Sequence, residues 1–151
     1  ISQSINNLSQ SIRSISHSLN HQLLLQQDLL KAIQSEVERM QKNDKIKLNL
    51  ELDNSSSKEF STNEKIVIYR IFQEIINNAF KHSKAKNISI EIKTKPYFFM
   101  EITDDGKGFD VSKKEKTLGL QNLKERAKLI EYDIIIESVI NHGTTITLTQ
   151  N

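Results

Sequence analysis

Short segments in which apolar and polar residues alternate constrain the fold of this 151-residue chain most strongly. The alternation begins at Lys45 and recurs near residues 88–92, 98–102, 132–138 and 144–149. A strand with one buried face has this period of two. Because the strands do not alternate regularly with helices, a doubly wound parallel sheet is disfavoured. We therefore expect an α+β fold, a two-layer α/β sandwich with helices on one face of a mixed, mostly antiparallel sheet.

The helical layer is predicted from apolar residues at a spacing of three and four. Helices are expected over Asp28–Gln41, with Asp28 as N-cap, over Asn63–Ser83 and over Leu118–Ile130. Gly106–Lys116 is predicted to be a lysine-rich loop, and Asn141–Gly143 the turn between the last two strands.

The first 19 residues carry a narrow apolar stripe at heptad spacing, formed by Ile1, Ile5, Leu8, Ile12, Ile15 and Leu19. Such a stripe needs a partner helix, in this chain or in another copy, unless it is a surface helix lying on its own domain. The stripe loses its phase between Asn20 and Gln27. We therefore expect a helical extension with its junction over residues 1–22 and a domain over residues 23–151. Since the chain begins at Ile1, we also expect it to be a fragment of a longer protein.

Composition narrows the functional classes. The net charge of +2 argues against a dedicated nucleic-acid binder. The chain has no cysteine, which excludes disulfides and cysteine-based zinc sites. No apolar run approaches the roughly 20 residues that span a bilayer. We therefore expect this fragment to contact neither nucleic acid nor membrane directly.

Polar residues on the long predicted helix form the first candidate site. Glu74, Asn78 and His82 are spaced four apart and share one helix face. A carboxylate, an amide oxygen and a cation suit Mg²⁺ and polyphosphate, and Lys81 adds positive charge nearby. The alternative is a solvated helix face.

A second candidate segment, residues 104–109, follows a strand directly. Asp104 at the strand end can accept a hydrogen bond from an exocyclic amine, and Gly106 and Gly108 permit close backbone approach or positive φ. The alternative is a hairpin turn, for which Asp-Gly is a common signal.

Two further segments are candidates for ligand binding. Thr117-Leu118-Gly119-Leu120 opens a predicted helix, and free amides at a helix start can hold phosphate. Gly143-Thr144-Thr145 precedes the last strand. The alternative is that this segment is only a turn and binds no ligand.

In their order, the four segments resemble the motifs of the ATP-binding (Bergerat-fold) catalytic domain of sensor histidine kinases. Residues 73–82 resemble the N box and residues 104–109 the G1 box. Residues 118–126 resemble the G2 box of short-lid kinases related to nitrate sensors and the desaturase thermosensor, and Gly143-Thr144 the last ATP-site motif. The resemblance covers about residues 25 to 150.

The resemblance implies that ATP and Mg²⁺ bind along the long helix. Asn78 would coordinate the metal through its side-chain oxygen, and Glu74 would orient or activate water or act as a base. Lys81 and His82 would touch the phosphates, together with amides at Gly119 and Leu120.

On the adenine side, the resemblance implies that Asp104 holds the amino group of the base. Gly106 and Gly108 would lie beside the ring, and Thr144 deep in the pocket. Lys107 to Thr117 would form a lid.

The implied function is transfer of the ATP γ-phosphoryl group to a histidine on a dimerisation helix. Residues 1–22 resemble the C-terminal part of the second such helix, so the acceptor histidine is expected outside this fragment. His17 and His21 have no acidic neighbour. The implied partners are the protein's own dimerisation helices, in a homodimer, and a response regulator. The implied location is the cytoplasm, whether or not the parent protein is membrane-anchored.

Three departures leave alternatives open. Thr117 stands where the G2 pattern usually has glycine, Glu131-Tyr132 replaces a usual glycine pair, and the chain end lacks the customary Leu-Pro. One alternative is a nucleotide-binding but catalytically weak interaction module. Another is an ATPase of the gyrase or chaperone class, for which the chain is short.

Overall fold

The computed structural model describes residues 3–9, 12, 28–42, 45–53, 58–114 and 118–151. The predicted junction at residues 20–27 and the boundary between residues 22 and 23 lie outside this part, as do His17, His21 and Thr117. Residues 3–9 are helical. Ile5 and Leu8 on this helix are 61% and 63% exposed, so the described part of the heptad stripe is not buried against the domain.

After this helix, the described elements follow one another as α1 (Leu29–Gln41), β1 (Lys47–Leu52), α2 (Thr62–Asn78), a π-helical turn (Ala79–Ser83), β2 (Asn87–Lys93), β3 (Phe99–Asp104), α3 (Val111–Lys114), α4 (Leu118–Leu129), β4 (Tyr132–Val139) and β5 (Gly143–Gln150). Each strand lies within about two residues of its predicted position. The prediction of a loop over Gly106–Lys116 was wrong at Val111–Lys114, where α3 forms one helical turn. Here Asp110 supplies the local cap, accepting hydrogen bonds from the amide and hydroxyl of Ser112.

The five strands form one mixed sheet in the order β1-β2-β3-β5-β4. β1 and β2 are parallel because α2 carries the chain back across the sheet between them. The other neighbouring pairs are antiparallel. The predicted α+β sandwich is therefore confirmed.

The helices cover one face of the sheet, and the core lies between the two layers. α2 supplies the central buried stripe, formed by Ile68, Tyr69, Ile71, Phe72, Ile75 and Ile76. Alternate residues of β2 and β3, such as Ile90 and Met100, are buried against it. Burial of these largely apolar side chains is the main source of stability, worth about 1.5–3 kcal/mol for each aliphatic or phenylalanine side chain relative to exposure.

The start of α2 is fixed by a capping box. The Ser61 hydroxyl accepts from the Glu64 amide at 3.1 Å, and the Glu64 carboxylate accepts from the Ser61 amide at 2.8 Å. The same carboxylate accepts from the Tyr132 hydroxyl at 3.0 Å, which links the helix start to β4. Burial, followed by this bond, raises the pKa of Tyr132. This bond therefore joins the start of α2 to the first residue of β4, at the end of the sheet away from the π-helical turn.

None of the helices in the described part of the chain has the length and apolar content needed to cross a bilayer.

Candidate functional site

A cavity of about 310 Å³ opens between the end of α2 and the ends of β3 and β5. Its lining residues come from five places along the chain and are Ile75, Asn78, Ala79, His82, Ser83, Ile102, Asp104, Lys107, Gly108, Phe109, Gly119, Leu120, Thr144 and Ile146. A mostly apolar cavity with a few convergent polar groups is typical of a small-molecule site.

Asp104 forms the polar end of the cavity. It is the last residue of β3, only 8% exposed, and directly opposite Thr144 of β5 in the sheet register. Its carboxylate accepts hydrogen bonds from the Gly106 amide at 2.9 Å and from the Thr144 amide. Burial raises the pKa of Asp104, although the two amide bonds oppose that shift. A fixed, partly dehydrated carboxylate is a strong acceptor for an amine placed in the cavity.

The glycines of the turn after β3 serve the protein's own packing. A Cβ on Gly106 would overlap the carbonyl oxygen of Ser83, and one on Gly108, at φ +59°, would overlap that of Val139. Gly106 itself does not line the cavity. It lies between Asp104 and Ser83, whose atoms a Cβ at this position would meet.

The π-helical turn shapes the opposite wall. Asn78 and His82 line the cavity, whereas Glu74 and Lys81 are not among its lining residues. The wider turn changes the direction of the side chains after Asn78. The sequence pattern predicts one regular α-helix up to Ser83, in which these side chains would point elsewhere. Ser83 closes the turn, since its hydroxyl donates to the Ala79 carbonyl at 2.6 Å and accepts from the Ala85 amide.

Gly119 and Leu120 bring the first turn of α4 to the cavity. A Cβ on Gly119 would meet no heavy atom of the described residues within 4 Å. Packing therefore does not require glycine at this position. The first turn of α4 carries no acidic residue that would repel an anion bound there.

Sequence reasoning missed four apolar lining residues, Ile75, Ala79, Ile102 and Ile146, because it assigned them to the core. It also missed Ser83 and Phe109. For Ile102 and Ile146 the sequence held a signal, since each lies two residues from a predicted site residue, Asp104 or Thr144, and so on the same face of its strand.

Asn78 is a lining residue whose side-chain oxygen could bind a hard cation. The described residues hold no group of three acidic, histidine or cysteine side chains that could enclose a metal. One amide oxygen fits Mg²⁺ only where phosphates and water complete its shell, which is how Mg²⁺ is commonly bound beside nucleotides.

Comparison with known proteins agrees with this geometry. A family model described as "Histidine kinase-, DNA gyrase B-, and HSP90-like ATPase" matches residues 63–151. The signal transduction histidine-protein kinase/phosphatase DegS of Bacillus subtilis is 33% identical over 112 residues, which are 70% of this chain and 29% of that protein. The chain thus spans less than a third of this relative's length.

Solved histidine kinase structures share the fold. Acinetobacter baumannii histidine kinase AdeS superposes with a TM-score of 0.65 at 20% identity, over 97% of this chain and 83% of the other. The histidine kinase domain of the Erythrobacter litoralis EL346 blue-light activated kinase gives 0.64 at 15% identity, over 81% and 58% of the two chains.

Fold and cavity together define an ATPase domain of the two-layer Bergerat type. The chain belongs to the family of histidine kinase-, DNA gyrase B- and HSP90-like ATPases. The family membership inferred from the four motifs is therefore confirmed, and ATP binding by this domain follows from it.

Proposed function

We propose that this chain is the ATP-binding catalytic domain of a two-component sensor histidine kinase. It donates the γ-phosphoryl group of ATP to a histidine on a dimerisation helix that lies outside this fragment. The observation that carries the proposal is the cavity itself, which is lined both by the buried carboxylate of Asp104 and by Gly119 and Leu120 in the first turn of α4.

The adenine end is assigned to the sheet. Asp104 accepts from the exocyclic amine of the base, and Thr144 lies beside it in the neighbouring strand. The apolar walls, which include Ile102 and Ile146, suit the faces of a purine ring.

The phosphate end is assigned to the helices. The amides of Gly119 and Leu120 face the phosphates, and His82, which lines the same cavity, contacts them as well. Asn78 holds Mg²⁺, which when bound neutralises phosphate charge. Phosphoryl transfer needs mainly such positioning and neutralisation.

Neither Glu74 nor Lys81 lines the cavity. In the proposed roles, their side chains extend towards the bound nucleotide from outside the lining. Glu74 lies one helical turn before Asn78, partly buried, and orients water or accepts a proton beside the metal. Lys81 is exposed and reaches the phosphates from outside.

The partners follow from the same proposal. Residues 1–22 belong to the second dimerisation helix of a homodimer, residues 23–151 to the catalytic domain, and a response regulator receives the phosphoryl group. The domain works in the cytoplasm.

Calorimetric titration of ATP with Mg²⁺ tests the binding step. Asp104→Ala should weaken binding by about 10- to 100-fold, since it removes a hydrogen bond to a charged acceptor. Asn78→Asp should weaken it comparably by placing negative charge beside the phosphates. Asn49→Asp is the matched control, because Asn49 is exposed on β1, away from the cavity. Wild-type affinity in both site variants would contradict the proposal.

The transfer step needs an acceptor. Incubating the chain and labelled ATP with a histidine-bearing dimerisation helix pair from a homologous kinase should give acid-labile phosphate on that histidine. ATP binding without any transfer would instead support the catalytically weak module.

A further inference from the structure

Ser138 joins three parts of the cavity wall through one hydroxyl group. It is half-buried near the end of β4, on the sheet face that packs against the helices. Its Oγ accepts from the Phe109 amide at 2.9 Å, lies 3.1 Å from the Gly143 carbonyl oxygen and lies 2.8 Å from Thr144 Oγ1. Phe109 and Thr144 both line the cavity, whereas Ser138 does not.

Asp104, Thr144 and Ser138 form one row across the sheet. Asp104 of β3 is opposite Thr144 of β5, and Thr144 is opposite Ser138 of β4. The row therefore runs from the buried carboxylate of Asp104, through Thr144, which lines the cavity, to Ser138, which does not.

The number of protons fixes the direction of these bonds. Ser138 has one hydroxyl proton and two lone pairs. The Gly143 carbonyl oxygen can only accept, so its bond takes the Ser138 proton. The two lone pairs of Ser138 then accept from the Phe109 amide and from the Thr144 hydroxyl. With its proton turned towards Ser138, Thr144 offers the cavity lone pairs alone.

Resting on the proposed function, we propose that Ser138 is a positioning residue that sets selectivity for adenine over guanine. It holds the Thr144 hydroxyl as an acceptor beside the acceptor Asp104. Two adjacent acceptors match the two protons of an adenine amino group and oppose the O6 oxygen of guanine. Without Ser138, the Thr144 proton is free to donate to O6, so discrimination against guanine falls.

Competition titrations with ATP and GTP test the assignment. Ser138→Ala should lower ATP affinity by about 3- to 10-fold, the effect of losing one neutral hydrogen bond. It should leave GTP affinity unchanged or raise it, so that the ATP-to-GTP affinity ratio falls by about 10-fold. Ser138→Thr retains the hydroxyl and should restore the wild-type ratio.

A double-mutant cycle separates positioning from general stability. In a Thr144→Val background, Ser138→Ala should change the ratio no further, because the hydroxyl that it orients is gone. Thr145→Val is the matched control: it removes a hydroxyl pair of 3.0 Å with Thr103 one residue along the same strand, on the open sheet face. It should leave the ratio unchanged.

The outcomes are distinguishable. A wild-type chain that binds no ATP overturns the proposed function, and this assignment with it. A wild-type chain that binds ATP, combined with an unchanged ratio in Ser138→Ala or an additive cycle, overturns this assignment alone. If Ser138→Ala does not fold, Ser138→Cys, a weaker hydrogen-bonding group of similar shape, should give a ratio between those of wild type and the Thr144→Val variant.

Discussion

The backbone amide of Lys107 donates to the carbonyl oxygen of Ser83 at 2.7 Å, which ties the turn after β3 to the end of the π-helical turn. Both residues line the cavity. This bond therefore directly joins the sheet wall of the cavity to its helix wall. Its geometry requires the two backbones to touch, and Gly106 is the residue that allows it.

Gly106→Ala should destabilise the fold by about 1–3 kcal/mol, because the added Cβ would overlap the carbonyl oxygen of Ser83. The obstructing atom belongs to the backbone and cannot rotate away. Urea denaturation followed by circular dichroism measures the loss. An unchanged midpoint would mean that the two walls are not held together as described.

Gly119→Ala should raise the stability of the fold, unlike Gly106→Ala, and should weaken ATP binding. Its Cβ would meet no described heavy atom within 4 Å, and alanine is the better helix former, so stability should rise by up to about 1 kcal/mol. The methyl group would instead hinder a phosphate approaching the helix amides, and we expect ATP affinity to fall at least about fivefold. Unfolding and titration of the same sample separate the two effects. Full ATP affinity would remove Gly119 from the phosphate site.

Asp104→Asn should stabilise the unliganded chain near neutral pH. Burial raises the pKa of Asp104 in the folded state, so the folded chain binds more protons than the unfolded chain between the unfolded pKa and the raised folded one. Stability therefore falls as pH rises through that window and stays lower above it. The variant should therefore be more stable than the wild type at pH 7, with a gain that shrinks towards pH 3, while its ATP binding weakens. A stability loss at pH 7 would contradict this sign.

Asp105 is the neighbouring control with the opposite sign. Its carboxylate accepts from the Asn87 side chain at 2.8 Å and from the amides of Asn87 and Lys86 at 2.9 and 2.8 Å, bonds that lower its pKa. Its stabilisation is present above its unfolded pKa and is lost as pH falls through the lower folded pKa. Asp105→Asn should therefore lose stability at pH 7, where Asp104→Asn gains it.

The strands, the sheet face and Asp104 could be predicted from sequence because each depends on a local pattern. Alternation along β3 places Asp104 at the inward end of a buried strand without reference to any other segment. The π-helical turn could not be predicted in this way, since residues 79–83 read as a continuation of α2. The widening begins after Asn78, so it affects the direction of the Lys81 side chain but not that of Glu74, which lies in the regular part of α2.

The sequence of β4 contains a signal that could have identified Ser138 as a residue with a polar partner. On β4 the inward positions are Tyr132, Ile134, Ile136 and Ser138, so a polar residue ends an otherwise apolar series. An inward hydroxyl at a strand end needs a buried partner. Sequence alone could not supply that partner, because Phe109 and Thr144 reach Ser138 only through the folded sheet.

Glu131→Gly should stabilise the chain by about 0.5–1 kcal/mol. Glu131 follows the end of α4 with φ +60°, and its amide donates to the Lys128 carbonyl at 3.1 Å, an arrangement that favours glycine. Relief of the left-handed strain, about 1–2 kcal/mol, is partly offset by the greater freedom of glycine in the unfolded chain. Asp133→Gly, two residues along in β4, has no such strain to relieve and should destabilise by about 1 kcal/mol. Glu131 does not line the cavity, so ATP affinity should stay unchanged while the thermal midpoint rises. A midpoint that falls in both variants would show that the glutamate side chain contributes more than its backbone strain costs.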